Sequence, residues 1–199
     1  MPARGRDRFE GDPLPEEFFA RTTQEVARAL LGTILVSRSG RALTAGRIVE
    51  TEAYLGYDDP ASHAWQGRRT DRNAALYGPR GSWYVYKSYG IHWCCNLVAD
   101  RPGLGAAVLL RGIEPLAGVE VIRRRRKGAV PRELGNGPGK LCQALGITGK
   151  LDGEMMAESP VIVLPGTPEP GRRIRQTPRI GISKAVSWRL RFVLDPLKQ

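Results

Sequence analysis

Trp83-Tyr84-Val85-Tyr86-Lys87-Ser88-Tyr89-Gly90-Ile91-His92-Trp93, continued by Cys94 to Val98, is the stretch whose reading decides the fold. Trp83 to Lys87 and Ile91 to Val98 are dense in aromatic and β-branched residues, the composition of half-buried strands. Ser88-Tyr89-Gly90 joins them, with the glycine supplying a positive φ that a tight turn needs. The segment therefore predicts a β-hairpin, and the 24 glycines and 15 prolines of the chain point to a loop-rich, mixed fold rather than a helical bundle.

Upstream, Thr22-Thr23-Gln24-Glu25 reads as a capping box opening a helix. Val26, Ala27, Leu30 and Leu31 form its apolar stripe and Gly32 ends it. Ile34 to Val36 predicts a strand, followed by a turn around Ser39-Gly40, and Arg47 to Tyr54 predicts a second strand. Residues 55–82 are polar and rich in Gly and Arg, so they read as loop. Downstream, Ala106 to Gly112 predicts a strand and Pro115 to Arg126 a helix, with Gly128 past its end. A further helix opens at Gly137-Pro138-Gly139-Lys140, runs through Ala144 and stops at Gly146. Val161 to Leu164, Ile180-Gly181-Ile182 and Leu190 to Leu194 predict late strands. The expected fold is α+β: one compact domain over residues 14–199, with a curved mixed, largely antiparallel sheet, flanking helices and a protruding hairpin. Residues 1–13, polar and rich in Arg, Asp and Gly, are expected to be a mobile N-terminal segment.

The 199 residues carry 31 Lys and Arg against 20 Asp and Glu, a formal net charge of +11. A folded domain with that excess attracts polyanions, which puts nucleic acid or an anionic membrane surface first among partners. Three cysteines, with Cys94 and Cys95 adjacent, argue against a disulfide framework and a zinc site, and suit a reducing cytosol. Residues 1–15 lack the apolar core of a signal peptide, and no apolar run reaches membrane-spanning length.

In Glu50-Thr51-Glu52-Ala53-Tyr54, period two puts Glu50, Glu52 and Tyr54 on one face of a strand. A carboxylate beside an aromatic ring is a candidate general base in a stacking pocket; solvated glutamates on a surface strand are the alternative. Tyr89, at a turn tip, points into solvent, where a ring gains little from folding. It is either an ordinary loop tyrosine or an apolar wedge for a base step, with Lys87 beside it to meet a phosphate. Gly135-Asn136-Gly137-Pro138-Gly139-Lys140 lacks Walker A spacing, and Leu141 stands where that motif needs Ser or Thr. It is either a plain helix start with a surface lysine or one that presents amides and Lys140 to a phosphate. The run Arg123 to Lys127 reads as a solvated helix end. His63 near Asp58 and Asp59, with two histidines in the whole chain, is weak as a metal site, so no metal or cofactor is expected.

Together these segments resemble the alkyladenine (3-methyladenine) DNA glycosylase family, the type shared by mammals and many bacteria. The matching stretches are Leu31-Gly32, Gly46 to Gly56, Ala61-Ser62-His63, Arg69-Thr70, Arg72-Asn73, Tyr84-Val85-Tyr86, Tyr89-Gly90 and Asn96. Val108 to Arg111, Glu114-Pro115-Leu116, Gly137-Pro138, Lys140 to Leu145, Arg179-Ile180-Gly181 and Leu190-Arg191-Phe192 follow, in family order over residues 15–195. Residues 150–177 and Ile91-His92-Trp93 depart from the pattern, and the long N-terminal extension of mammalian members is not expected.

The resemblance implies a base-excision enzyme acting on double-stranded DNA. It would flip alkylated or deaminated purines, such as 3-methyladenine, 7-methylguanine, hypoxanthine and ethenoadenine, and hydrolyse the bond to the sugar. By that resemblance Glu52 activates the attacking water, which Arg111 and the Ile180 carbonyl help to hold. Tyr54, His63 and Tyr86 wall the flipped base, and the His63 amide reads the purine edge. Asn96 disfavours normal guanine, Tyr89 fills the vacated stack, and Lys87 and Lys140 contact DNA. Water rather than an amine is the expected nucleophile, without strand cleavage, in a cytoplasmic, nucleoid-associated monomer. A non-enzymatic nucleic-acid module with the hairpin as stacking platform is the competing reading. A zinc base deaminase is excluded by the lack of His-x-Glu and Pro-Cys-x-x-Cys.

Overall fold

The computed structural model describes residues 9–38 and 42–196. The expected turn at Ser39-Gly40 and residues 1–8 of the expected mobile segment lie outside them. Phe9 is buried in the core, and its carbonyl accepts a hydrogen bond from the Arg38 guanidinium at 3.0 Å.

The capping box is present: Thr22 Oγ1 accepts from the Glu25 amide, and the Glu25 carboxylate accepts from the Thr22 amide. It opens helix α1 (Thr23–Ala29), whose Val26 and Ala27, with Leu30 and Leu31 beyond, are buried in the core. The strands are β1 (Ile34–Ser37), β2 (Thr44–Tyr54), β3 (Trp83–Ser88), β4 (His92–Val98), β5 (Ala107–Ala117), β6 (Val161–Leu164), β7 (Ile174–Thr177) and β8 (Arg191–Leu194). Helices α2 (Val119–Arg125) and α3 (Pro138–Leu145) follow β5, and short 3-10 turns break up the polar stretch between β2 and β3. One sheet runs in the order β3-β4-β5-β2-β1-β6, with β8 on β2 beyond the end of β1 and β7 on β8. The sheet is antiparallel at every pairing among the described strands.

Strand periodicity divides the residues between two faces. Ala53, Trp83, Val85, Cys95, Leu97, Val108 and Leu110 point into the main core, where Leu141, Cys142 and Leu145 of α3 meet them. The opposite face carries Tyr84, Val98 and Ala107 in a second, smaller cluster with Ala64 and Leu76. That face holds the candidate site. All three cysteines are buried free thiols.

Two expectations need correction. Pro115 does not start a helix: β5 runs on to Ala117, with Pro115 opposite Gly46 and Leu116 bulged out before Ala117 pairs with Ala45. A proline without an N–H is tolerated at a strand end next to a bulge. The helix begins only at Val119, after Gly118 in the left-handed region. Ile180-Gly181-Ile182 is not a strand; Pro178 precedes it, Gly181 has a φ of 77°, and the Ile180 amide donates to a side chain rather than to a ladder. In residues 150–177, β7 was not foreseen, and residues 152–155 cover the outer edge of β3. There the Asp152 carboxylate accepts the Val85 amide at 2.7 Å and the Trp83 amide donates to the Glu154 carbonyl at 2.9 Å. Among the described residues no helix is long and apolar enough to cross a membrane.

Candidate active site

Glu50, Glu52 and Tyr54 lie on the site face of β2, as their spacing required. Glu52 is fully buried, yet its carboxylate is well supplied with donors. The Ile180 amide donates to Oε1 at 2.8 Å, the Tyr54 hydroxyl to Oε2 at 2.9 Å, and Arg111 Nη1 to Oε2 at 3.3 Å. Burial raises the Glu52 pKa above the ordinary carboxylate value, against the lowering effect of Arg111, the Ile180 amide and Tyr54. Arg111 reaches this face from a bulge. It is the extra residue of β5 between the pairs Thr51–Leu110 and Glu50–Gly112, and Val49 of β2 restores the register. Its Nε also donates to Glu50 at 2.9 Å.

Beside the carboxylate opens a cavity of about 620 Å³, a size typical of small-ligand pockets. Tyr54, His63, Tyr86, Asn96 and Tyr89 all line it, so most of the residues singled out in the sequence converge. Gly181 and Ile182 form its edge next to the Ile180 amide, while Glu52 itself meets the cavity through Tyr54. His63 and Tyr86 touch edge to face, centroids 4.6 Å apart, as one composite wall. The burial of His63, with Arg72 and Arg68 nearby, depresses its pKa and favours a neutral ring. The His63 backbone N–H donates to no group among the described residues, whereas its carbonyl accepts the Asn73 amide side chain at 2.9 Å. Asn96 is buried, its side chain tied to the Tyr84 carbonyl at 3.0 Å.

Tyr89 stands at the hairpin tip, 89% exposed, with φ of 50° followed by Gly90 at 70°. The left-handed region costs a bulky residue roughly 1–2 kcal/mol, and no packing offsets it. Ser88 and Ile91 close the turn through a 3.0 Å hydrogen bond. Lys87 is exposed, with its ammonium 5.0 Å over the ring of its cross-strand neighbour Trp93. The hairpin stem is backed by α3 and the turn after it. A Cβ on Gly139 would come within 2.8 Å of His92, and one on Gly149 within 2.6 Å of Trp93. The glycine at 139 thus admits the hairpin. Lys140, next to it, is partly exposed and bonded to Asn136 at 3.0 Å, with Glu133 at 3.6 Å, outside the cavity.

The sequence reading missed several members. Tyr84 bonds His63 Nδ1 through its hydroxyl at 2.7 Å, and its alternation with Tyr86 could have revealed it. Arg72 and Lys184 line the cavity, the latter with its ammonium 4.1 Å over the Trp65 ring. Asp59, considered only for metal, forms a fully buried two-point ion pair with Arg179. Arg179 in turn donates to the Ala53 carbonyl at 3.0 Å and covers the Tyr54 ring at 4.6 Å. Among the described residues no cluster of three His, Cys, Asp or Glu side chains could hold a metal.

The family model described as methylpurine-DNA glycosylase matches residues 17–197. The chain belongs to that family. A protein of Agrobacterium fabrum is 48% identical over 182 residues, 92% of this chain and 89% of its own length. One of Methanoculleus marisnigri is 47% identical over 185 residues, 91% and 94% respectively. Both carry the name "Putative 3-methyladenine DNA glycosylase". The matched span of this methylpurine-DNA glycosylase family member takes in β2, the hairpin, Arg111 and the Ile180 turn, that is, every element of the site.

Proposed function

We propose that this chain removes alkylated and deaminated purines, 3-methyladenine foremost and hypoxanthine and ethenoadenine among them, from double-stranded DNA. The lesion is flipped into the aromatic cavity, and water activated by Glu52 displaces it from the sugar, leaving an abasic site. The observation that carries this reading is a buried carboxylate with three donors, one of them the hydroxyl of Tyr54, which with His63 and Tyr86 walls the adjoining cavity. A base in the stack cannot be attacked, so it must be extruded at a cost of a few kcal/mol. Tyr89 fills the gap, and cationic lesions gain about 0.5–2 kcal/mol from the electron-rich rings.

Within the Glu52 carboxylate, Oε2 already accepts two bonds and Oε1 one, so Oε1 keeps a lone pair for a water proton. The Ile180 carbonyl accepts no bond from the described residues and supplies a second acceptor. The His63 N–H is left to read the purine edge. A cationic leaving base needs no general acid, so for such lesions one carboxylate suffices where glycosidases use two, whereas a neutral base such as hypoxanthine must gain a proton, from solvent, as it leaves. Water is the nucleophile in this reading: among the described residues the cavity is lined by one lysine, Lys184, whose ammonium lies 4.1 Å over the Trp65 ring. The proposed active unit is a monomer.

The test is single-turnover release of 3-methyladenine and hypoxanthine from duplex DNA by wild type and Glu52→Gln. Wild type releases the base without nicking and without an adduct trapped by borohydride. Glu52→Gln binds the lesion and releases at least 100-fold more slowly. Near-normal release by that variant removes Glu52 from the mechanism.

A further inference from the structure

Glu50 has no part in that account, yet it is as carefully held as Glu52. Its Oε1 accepts two guanidinium donors, Arg111 Nε at 2.9 Å and Arg191 Nε at 2.6 Å. Arg191 comes from β8, where it pairs across from Glu52, and is anchored by Thr177 Oγ1 at 3.1 Å. Gly112 leaves the space: a Cβ there would stand 3.1 Å from Glu50 Cβ and 3.3 Å from its Oε2. Arg111 is thereby stretched between two carboxylates, giving Nε to Glu50 and only Nη1, at a long 3.3 Å, to Glu52.

A guanidinium beside a single carboxylate prefers the two-point arrangement, in which two parallel N–H groups occupy both oxygens. Such a clamp on Glu52 would consume the Oε1 lone pair that the water needs. We propose that Glu50, tethered by Arg191 and seated against Gly112, is a positioning residue that holds Arg111 in one-point contact with Glu52, so that a lone pair of Glu52 stays open for the attacking water. This rests on the reading of Glu52 as the base.

The groups that face Glu52 are Glu50 and Tyr54 of its own strand, Arg111 of β5, Arg191 of β8, Tyr86 of β3, and the Ile180 amide. Arg179, whose charge Asp59 balances, lies behind Tyr54. Two carboxylates and two arginines balance in the inner cluster. Taking charge from Glu50 leaves both arginines to Glu52; taking it from Arg191 leaves Glu50 to draw Arg111 away. The two changes therefore move the ionisation of Glu52 in opposite directions.

The experiment is the pH dependence of single-turnover base release, with lesion affinity measured in parallel, for wild type, Glu52→Gln, Glu50→Gln and Arg191→Gln. Loss of release in Glu52→Gln tests the underlying reading, and only the displacement of the acidic limb in the other two tests the inference. Glu50→Gln is expected to move the midpoint of that limb to lower pH by roughly half a unit to one unit. Its plateau falls about tenfold, as expected when a general base is clamped, with affinity changed less than about twofold. Arg191→Gln is expected to move the midpoint upward, which a merely destabilised site would not do. If Glu50→Gln fails to fold, Arg191→Gln alone carries the sign. An unmoved midpoint, or displacement of both variants in the same direction, overturns the proposal.

Discussion

Asp59→Asn is the substitution whose cost follows most directly from the geometry. Asp59 Oδ1 accepts the Ala61 amide at 3.0 Å and Arg179 Nη2 at 2.8 Å; Oδ2 accepts the Leu55 amide at 3.1 Å and Arg179 Nη1. Both side chains are fully buried. Asparagine keeps the shape, but turns an amino group toward donors and leaves the guanidinium charge uncompensated away from water. Removing one partner of a buried pair costs about 3–5 kcal/mol. At roughly 2–4 °C per kcal/mol for a chain of this size, the melting temperature falls by about 6–20 °C. Scanning calorimetry of wild type, Asp59→Asn, Arg179→Met and Asp59→Asn/Arg179→Met reads this. The double variant, with no stranded charge, should lose far less than the sum of the singles. Because Arg179 also holds the Ala53 carbonyl and precedes Ile180, whose amide fixes Glu52, base release by folded Asp59→Asn should fall roughly 10- to 100-fold. A melting temperature within about 2 °C of wild type, or additive losses, would show that the pair neither stabilises the fold nor locks the site.

Tyr89→Ala should lower the flipped population about 5- to 150-fold, from roughly 1–3 kcal/mol per base–aromatic stack. It is read by 2-aminopurine fluorescence next to the lesion, and Tyr89→Phe should be mild. Tyr89→Gly, which relieves the positive φ, should match alanine in flipping while raising thermal stability; a glycine variant that flips normally removes the wedge. Release of a cationic lesion should rise with pH with a midpoint above the ordinary carboxylate value of 4.5, because burial raises the Glu52 pKa and the ionised form is active. His63 should titrate below its ordinary 6.5 in a proton NMR titration, where one other histidine shares the spectrum. The stability this contributes is present above 6.5 and lost as the pH falls toward the depressed folded value; a midpoint at or above 6.5 contradicts it.

What the sequence revealed is what depends on near neighbours. The Thr22 capping box, the Tyr89-Gly90 turn and the shared face of Glu52 and Tyr54 each need only a few residues of context, and each is present. Pro115 was misread because proline at a helix start and proline at a strand end look alike until the bulge at Leu116 is seen. Ile180 was misread because a β-branched stretch signals a strand, whereas its amide is spent on Glu52 128 residues away. The Asp59–Arg179 pair spans 120 residues and the Glu50–Arg191 pair 141, and nothing local to either acid marks its partner. The aim of Arg111 depends on two compensating bulges, which propensity does not register.

Those long-range pairs resolve an apparent conflict in the site. A carboxylate as buried as Glu52 should be protonated, since desolvation costs an ion several kcal/mol, and a protonated acid activates no water. Three donors offset that cost, at about 1.5–3 kcal/mol for each bond to a charged group. A fourth strong donor would leave a stable ion with little appetite for a proton. Burial outweighs the donors, so the Glu52 pKa lies above the ordinary carboxylate value. Two of those donors are themselves held from farther out: Arg179, bonded to the Ala53 carbonyl, precedes Ile180, and Arg111 gives its Nε to Glu50 while its Nη1 stands 3.3 Å from Glu52. If Glu52 is the base, loss of the ion pairs that hold Arg111 and the Ile180 turn should appear in pH profiles at temperatures where the chain remains folded.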